Sequence, residues 1–190
     1  MKTFLISLRT LLLFTFLTGI LYPVIITVIS QVAFPGKASG SLIREGDRLI
    51  GSALIGQQFD SPVYFSSRPS ATQYNTLPSG GSNYGLTSAE LKNKVTERRN
   101  RFISANMLDP SSEIPSEMLF ASASGLDPHI SPGAALMQVD RVASSRNFND
   151  RQKEELTQLV RDQVENPQFL IFGEPRINVL LLNLRTDSIK

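Results

Sequence analysis

His129, the single histidine of the chain, follows Asp127 by two residues. At that spacing a carboxylate can orient an imidazole for acid–base work beside a serine. Asp127-Pro128-His129 also sits between small residues and a proline-led helix start, where a polar turn serves equally well. A second candidate is Ser79-Gly80-Gly81-Ser82-Asn83. Consecutive glycines permit a concave array of backbone N–H groups that holds an anion, and they also make simple turns. The other enzyme templates fail: the chain has no G-x-x-x-x-G-K-[ST] phosphate loop, no G-x-S-x-G elbow, no S-x-x-K pair and no aspartyl-phosphate signature. One histidine and no cysteine exclude a His- or Cys-built metal cluster. The expectation is no catalytic residue and no metal site.

The remaining residues suited to recognition are aromatic and basic. Tyr64, Tyr74 and Tyr84 all lie between Gln57 and Gly85, a stretch with little periodicity that also carries Pro62, Pro69 and Pro78. A loop of that length is functional or disordered, and its tyrosines argue against disorder. Aromatic and Arg side chains anchor interfaces, so Gln57, Tyr64, Arg68, Tyr74 and Tyr84 are candidates for a subunit interface. Lys plus Arg total 19 against 17 acidic residues, without a basic run, which argues against nucleic acid.

These residues are positioned by an anchor and a domain. Leu11 to Phe34 holds 24 residues without a charge, and a helix needs about 20 to cross a bilayer. The run exceeds a signal-peptide core and lacks a clear cleavage site. Pro23 removes one donor at mid-span, a defect that neighbouring helices compensate or that leaves a harmless kink. Thr15, Thr18, Gly19, Tyr22 and Ser30 gather near one helical face, where small and hydroxylated residues let another helix approach. Lys2 and Arg9 precede the span while Lys37, Arg44 and Arg48 follow it, so the charge count does not decide orientation. A short tail before a long domain favours a domain outside the cytoplasm.

Residues 35–41, PGKASGS, form a linker, and 42–190 form one domain. Leu49 to Phe59 is expected to give one or two strands broken at Gly51 and Gly56. Thr87 to Glu90 has the form of a capping box that starts a helix ending near Asp109-Pro110, with Leu91, Val95, Phe102, Ile103 and Met107 inward. Its Lys92, Lys94, Arg98, Arg99 and Arg101 form a solvated face, or a surface for an anionic partner. Ser131-Pro132 opens a second helix, with Leu136, Val139 and Ala143 inward. Asn149 opens a third, with Leu156, Leu159, Val160 and Val164 as its stripe. Ile177 to Leu184 reads as a central strand. The fold class is α+β: one membrane helix, then a compact mixed domain with a long irregular loop region.

Successive strings then carry a resemblance: Gly40 to Gly46, Gly51 to Gln57, Arg68 to Thr72, Tyr74-Asn75, Ser79 to Asn83, Ala121 to Asp127, Arg141-Val142-Ala143, and finally Gly173 to Val179. In order and spacing, from about Leu11 to Leu184, they resemble the C subunit of the Kdp potassium-transporting ATPase. Pro128 and His129 occupy a variable stretch, and Glu174 stands where a glutamine is expected.

The resemblance implies a subunit of a high-affinity potassium uptake complex in a bacterial inner membrane. Its partners would be a potassium-channel-like subunit and an ATP-hydrolysing P-type subunit. It further implies a non-catalytic role in assembly, described in that family as a catalytic chaperone raising ATP affinity, with no covalent cofactor. If ATP binds directly, Ser79, Gly80, Gly81, Ser82 and Asn83 are the nucleotide-binding candidates, although an exported domain would face a compartment without ATP. Two other readings stay open: an anchored hydrolase using Asp127, His129 and a serine, and an envelope-polymer binding module using the loop tyrosines.

Overall fold

A computed structural model of the chain describes residues 1–189. Its contacts divide into two compact units, Met1–Ser52 and the remainder from Ala53.

The first unit opens with a helix long and apolar enough to span a membrane, Lys2–Ala33, with mean hydropathy 2.3 and none of its residues buried. It consists of α1 (Lys2–Phe16), a wide π-type turn (Leu17–Leu21) and α2 (Tyr22–Ala33). Pro23 accounts for the wide turn. Proline lacks an N–H and its ring crowds the carbonyl four residues back. The helix adapts by loosening: Tyr22 N–H reaches Leu17 O, five residues back. Pro35 then starts a single turn, α3 (Pro35–Ala38), before a hairpin of β1 (Leu42–Glu45) and β2 (Arg48–Ser52). The hairpin pairs Leu42 with Ser52 and Glu45 with Arg48, turning through Gly46 at φ 58°.

In the second unit, residues 53–88 contain no helix or strand. There follow α4 (Ala89–Asn106), a 3-10 turn (Ser116–Met118), β3 (His129–Ile130), α5 (Pro132–Leu136), α6 (Val139–Ser145), α7 (Asp150–Asp162), β4 (Ile177–Asn178) and α8 (Val179–Thr186). Strands β3 and β4 pair antiparallel, His129 against Asn178. The architecture is therefore mixed helix and sheet, as the sequence predicts. The core gathers Phe65, Phe102, Ile130, Val142, Leu156, Val160, Ile177 and Leu182 from across the unit.

Several local expectations change. Of the predicted 49–59 strand region only residues 49–52 enter a ladder, as part of β2; beyond them, Gly56 N–H makes one bond to Leu126 O. The cap of α4 is Ser88, whose hydroxyl accepts from Leu91 N. Glu90 is therefore one position too early to close a capping box and turns to Lys94 at 2.9 Å. Helix α4 stops at Met107, in the left-handed conformation, which leaves that side chain exposed. The helix opened by Pro132 is interrupted between Leu136 and Val139, so Leu136 is part-exposed while Val139 and Ala143 are buried. Asn149 caps α7 in a full capping box with Gln152, with Leu156 and Val160 buried and Leu159 and Val164 packed against the core.

The largest correction is at Ile177 to Leu184. Two residues pair as β4 and the rest form α8, because the Asn178 side chain accepts from Leu181 N and starts a helix. Short apolar runs fit either state, and consecutive leucines are good helix formers. Here the cap decides.

Candidate functional site

Two stretches far apart in sequence clasp one another. Gly56 N donates to Leu126 O at 2.7 Å, Ser122 N to Pro69 O at 3.2 Å, and Gly80 N to Ser124 O at 3.0 Å. The Ser70 hydroxyl donates to Gly125 O at 2.7 Å and accepts from Tyr74 N at 2.9 Å. This close approach requires glycine. A Cβ on Gly56 would lie 2.6 Å from Asp127 O, and one on Gly125, at φ 72°, would lie 2.7 Å from Thr72 Oγ1. The small residues of 121–127 therefore admit a backbone from the same domain.

The middle of the loop is held by side chains. Asn183 accepts from Phe65 N at 2.8 Å and donates to Phe65 O at 2.9 Å. Gln138 does the same for Ser66, at 2.7 and 3.3 Å. Two amide side chains thus supply what neighbouring strands would supply in a sheet. Arg141 adds bonds to Pro62 O, Tyr64 O, Asn106 Oδ1 and Gln138 Oε1. The Phe65 ring, fixed this way, is fully buried.

Asp127 lies where the clasp meets β3. Its carboxylate takes Arg68 Nη1 at 2.7 Å and His129 N at 3.0 Å, with His129 Nδ1 at 3.4 Å. Burial pushes the carboxyl pKa up, but the His129 hydrogen bonds and the Arg68 charge outweigh it and hold it at about 2. The Tyr74 hydroxyl donates to Arg68 O, and burial raises its pKa to about 12. A cavity of about 630 Å³ borders Asp127, His129, Ser131, Glu117 and Arg176. Ser131, a serine that lines the same cavity, has its hydroxyl capping α5 through Ala134 N. His129 and Asp127 thus form a turn tied to Arg68, and Ser131 is engaged elsewhere. A second cavity, about 470 Å³, borders Arg68, Arg98, Arg101 and Arg141. Arg98 donates to Leu119 O, Arg101 to Glu97, and Arg141 to the loop carbonyls, so these guanidinium groups already have acceptors.

The predicted recognition residues separate into groups. Gln57, Arg68 and Tyr74 come together, with Ser67 Oγ donating to Gln57 O. Tyr64 lies apart, its hydroxyl on Asp187 and its ring 5.1 Å from the Arg146 guanidinium. Tyr84 bonds Glu90 and Lys94 of α4. Ser79, Ser82 and Asn83 are exposed, while Gly80 and Gly81 are half-buried against 123–124. In the apolar helix, Thr15, Gly19 and Tyr22 are exposed, Ser30 is half-buried, and Thr18 bonds back to Phe14 O at 2.7 Å. The basic face of α4 is only partly solvated. Arg98 and Arg99 fold onto the carbonyls of Leu119 and Pro110, which the helical wheel alone does not reveal.

The family model for the K+-transporting ATPase, c chain, matches residues 4–188. The chain belongs to the KdpC family. A relative from Burkholderia mallei (strain SAVP1), the "Potassium-transporting ATPase KdpC subunit", is 49% identical over 174 residues, 90% of this chain and 88% of its own. The protein of that name from Herpetosiphon aurantiacus is 47% identical over 189 residues, covering 97% and 95%. A match of this extent takes in both the apolar helix and the clasped domain.

Within this KdpC-family chain, sequence reasoning misses two sets of residues. Gln138 and Asn183 are polar positions inside otherwise apolar runs, and that interruption is the available signal. The second set is Phe169-Leu170-Ile171-Phe172, between 66% and 85% exposed. Its signal is an uncharged apolar run that sits between Pro167 and Gly173, outside any helix pattern.

Proposed function

We propose that this chain is a non-catalytic accessory subunit of an ATP-driven potassium uptake complex, held in a bacterial inner membrane by residues 2–33 with its domain outside the cytoplasm. Its partners are a potassium-channel-like subunit and an ATP-hydrolysing P-type subunit. The observation that carries the reading is the mutual clasp of residues 56, 68–75, 80 and 122–127. Most of the polar groups there hold one another, with the buried Arg68 Nε left over, so the domain is suited to presenting a fixed surface to partners. The names of the 47–49% identical relatives supply the potassium-transporting context.

On this reading any rise in the ATP affinity of the hydrolysing subunit is transmitted through assembly. Direct nucleotide contact would fall on Ser79 to Asn83, but Gly80 N–H is already bonded to Ser124 O, which weakens an amide cradle there. The test is potassium-stimulated ATP hydrolysis by the purified complex with and without the chain. Loss of activity and of subunit co-purification without it, and no turnover by the chain alone, is the expected result. Hydrolysis by the isolated chain that disappears in His129→Ala would overturn it. The chain has no native cysteine, so a single Asn100→Cys reports topology: labelling by an impermeant maleimide in intact cells places the domain outside.

A further inference from the structure

Most exposed apolar side chains of the second unit, such as Leu77, Leu86 and Met107, stand singly, which is ordinary for a protein surface. Phe169, Leu170, Ile171 and Phe172 do not. They are consecutive, 85%, 82%, 77% and 66% exposed, and no charge falls between Asn166 and Gly173. Phe169 and Leu170 also hold left-handed backbone, φ 54° and 63°, a conformation glycine adopts freely and bulky side chains rarely do. The turn thus keeps two large apolar residues where small ones fit more easily.

From this we infer that residues 168–172 form a wedge that dips into the interfacial layer of a lipid bilayer. The backbone supports that solvent. Gln168 N and Phe172 N exchange bonds with each other's carbonyls at 2.9 Å, Leu170 N reaches Pro167 O at 3.0 Å, and Ile171 N reaches Gln168 O at 3.1 Å. A segment leaving water must satisfy its N–H groups internally, and this tip largely does. At its base, Glu165 and Arg176 pair by backbone bonds and an ion pair at 3.1 Å, a charged stop suited to the aqueous side. All four side chains are at least 66% exposed, so none of them is packed away against the domain. A flat protein partner covers one side of such a loop, whereas lipid surrounds it. Shallow insertion, about 5–10 Å deep, is the depth at which Phe and Leu side chains bind membrane interfaces. The inference rests on the apolar helix lying in the same membrane, which tethers the tip and raises its effective concentration there.

The experiment uses the full chain with one introduced cysteine carrying an environment-sensitive fluorophore, reconstituted in phosphatidylcholine–phosphatidylglycerol vesicles that contain spin-labelled lipid. Leu170→Cys reports the tip, Val24→Cys the helix and Asn100→Cys the exposed side of α4. Quenching at position 170, stronger with a shallow than a deep spin label and falling to the position-100 level when Phe169→Asp and Phe172→Asp are added, is expected. Quenching at 24 without quenching at 170 overturns the wedge and leaves the anchor intact. Shielding of position 170 only when other subunits are added also overturns it, in favour of a protein groove. Absence of quenching at 24 removes the anchor reading, and the wedge with it.

Discussion

Residues 53–88 and residues 165–176 treat backbone and side chains in opposite ways. The first stretch has no regular structure, yet Phe65 is fully buried and Tyr64, Tyr74 and Tyr84 all have polar partners within the unit. The second pairs its backbone in register at Glu165–Arg176 and Gln168–Phe172, yet leaves four large apolar side chains in solvent. Irregular backbone is therefore a poor guide to which residues are free to meet a partner. Exposure of large apolar groups is the better guide, because their burial is what an interaction gains.

The sharpest way to break this contrast is to remove what fixes the irregular stretch. Phe65→Ala leaves a cavity under the loop and is expected to destabilise the domain by about 4 kcal/mol, measured by denaturant unfolding of the full chain in detergent. A loss under 1 kcal/mol would mean that the loop is not seated by this ring. Asn183→Leu fills similar space but strands Phe65 N–H and C=O without partners. Each buried orphan costs about 1–3 kcal/mol, so a loss of about 3 kcal/mol is expected by the same assay. Restoration by Asn183→Gln is not expected, because the longer side chain misplaces the amide.

How legible this was in the sequence follows from the range of each force involved. The apolar helix, the Asn149 cap and the stripe of α7 are local patterns; the cap and stripe appear where the sequence places them, and the helix, Lys2–Ala33, takes in most of the predicted 11–34 span and begins earlier. The loop's order depends on Gln138 and Asn183, 72 and 118 residues distant from their partners, and no local pattern encodes such pairing. Ile177 to Leu184 shows the intermediate case: apolarity predicts burial correctly, while a single Asn side chain turns strand into helix. The clasp was half legible. Its glycines and small residues announce close backbone approach, but not which backbone comes near.

Asp127 tests the clasp at its charged end. With a pKa lowered from 3.8 to about 2 in the folded state, it contributes stability that is complete above about pH 4 and lost as pH falls through 2. A shift of just under two pKa units at about 1.4 kcal/mol each sets the contribution on the order of 2–3 kcal/mol. Asp127→Asn is therefore expected to be less stable than the parent at pH 7 and to converge with it towards pH 2. Parallel stability curves across that range would remove Asp127 from the clasp's electrostatics.

The smallest effect is expected at the tip, and its smallness is what gives it value. Phe169→Ser combined with Phe172→Ser removes two rings that touch water on most of their surface, so the folded state loses little packing. Surface changes of this kind shift stability by about 0.5 kcal/mol or less, and the unfolding curve in detergent should overlay the parent. Replacing aromatic rings in the loop has the opposite outcome, as Phe65 predicts. If the tip variant unfolded as readily as Phe65→Ala, its rings would be packing residues and the contrast between the two regions would collapse. If it overlays the parent while losing its association with lipid, the four exposed residues are held outward for the bilayer, and the ordered hairpin beneath them exists to present them.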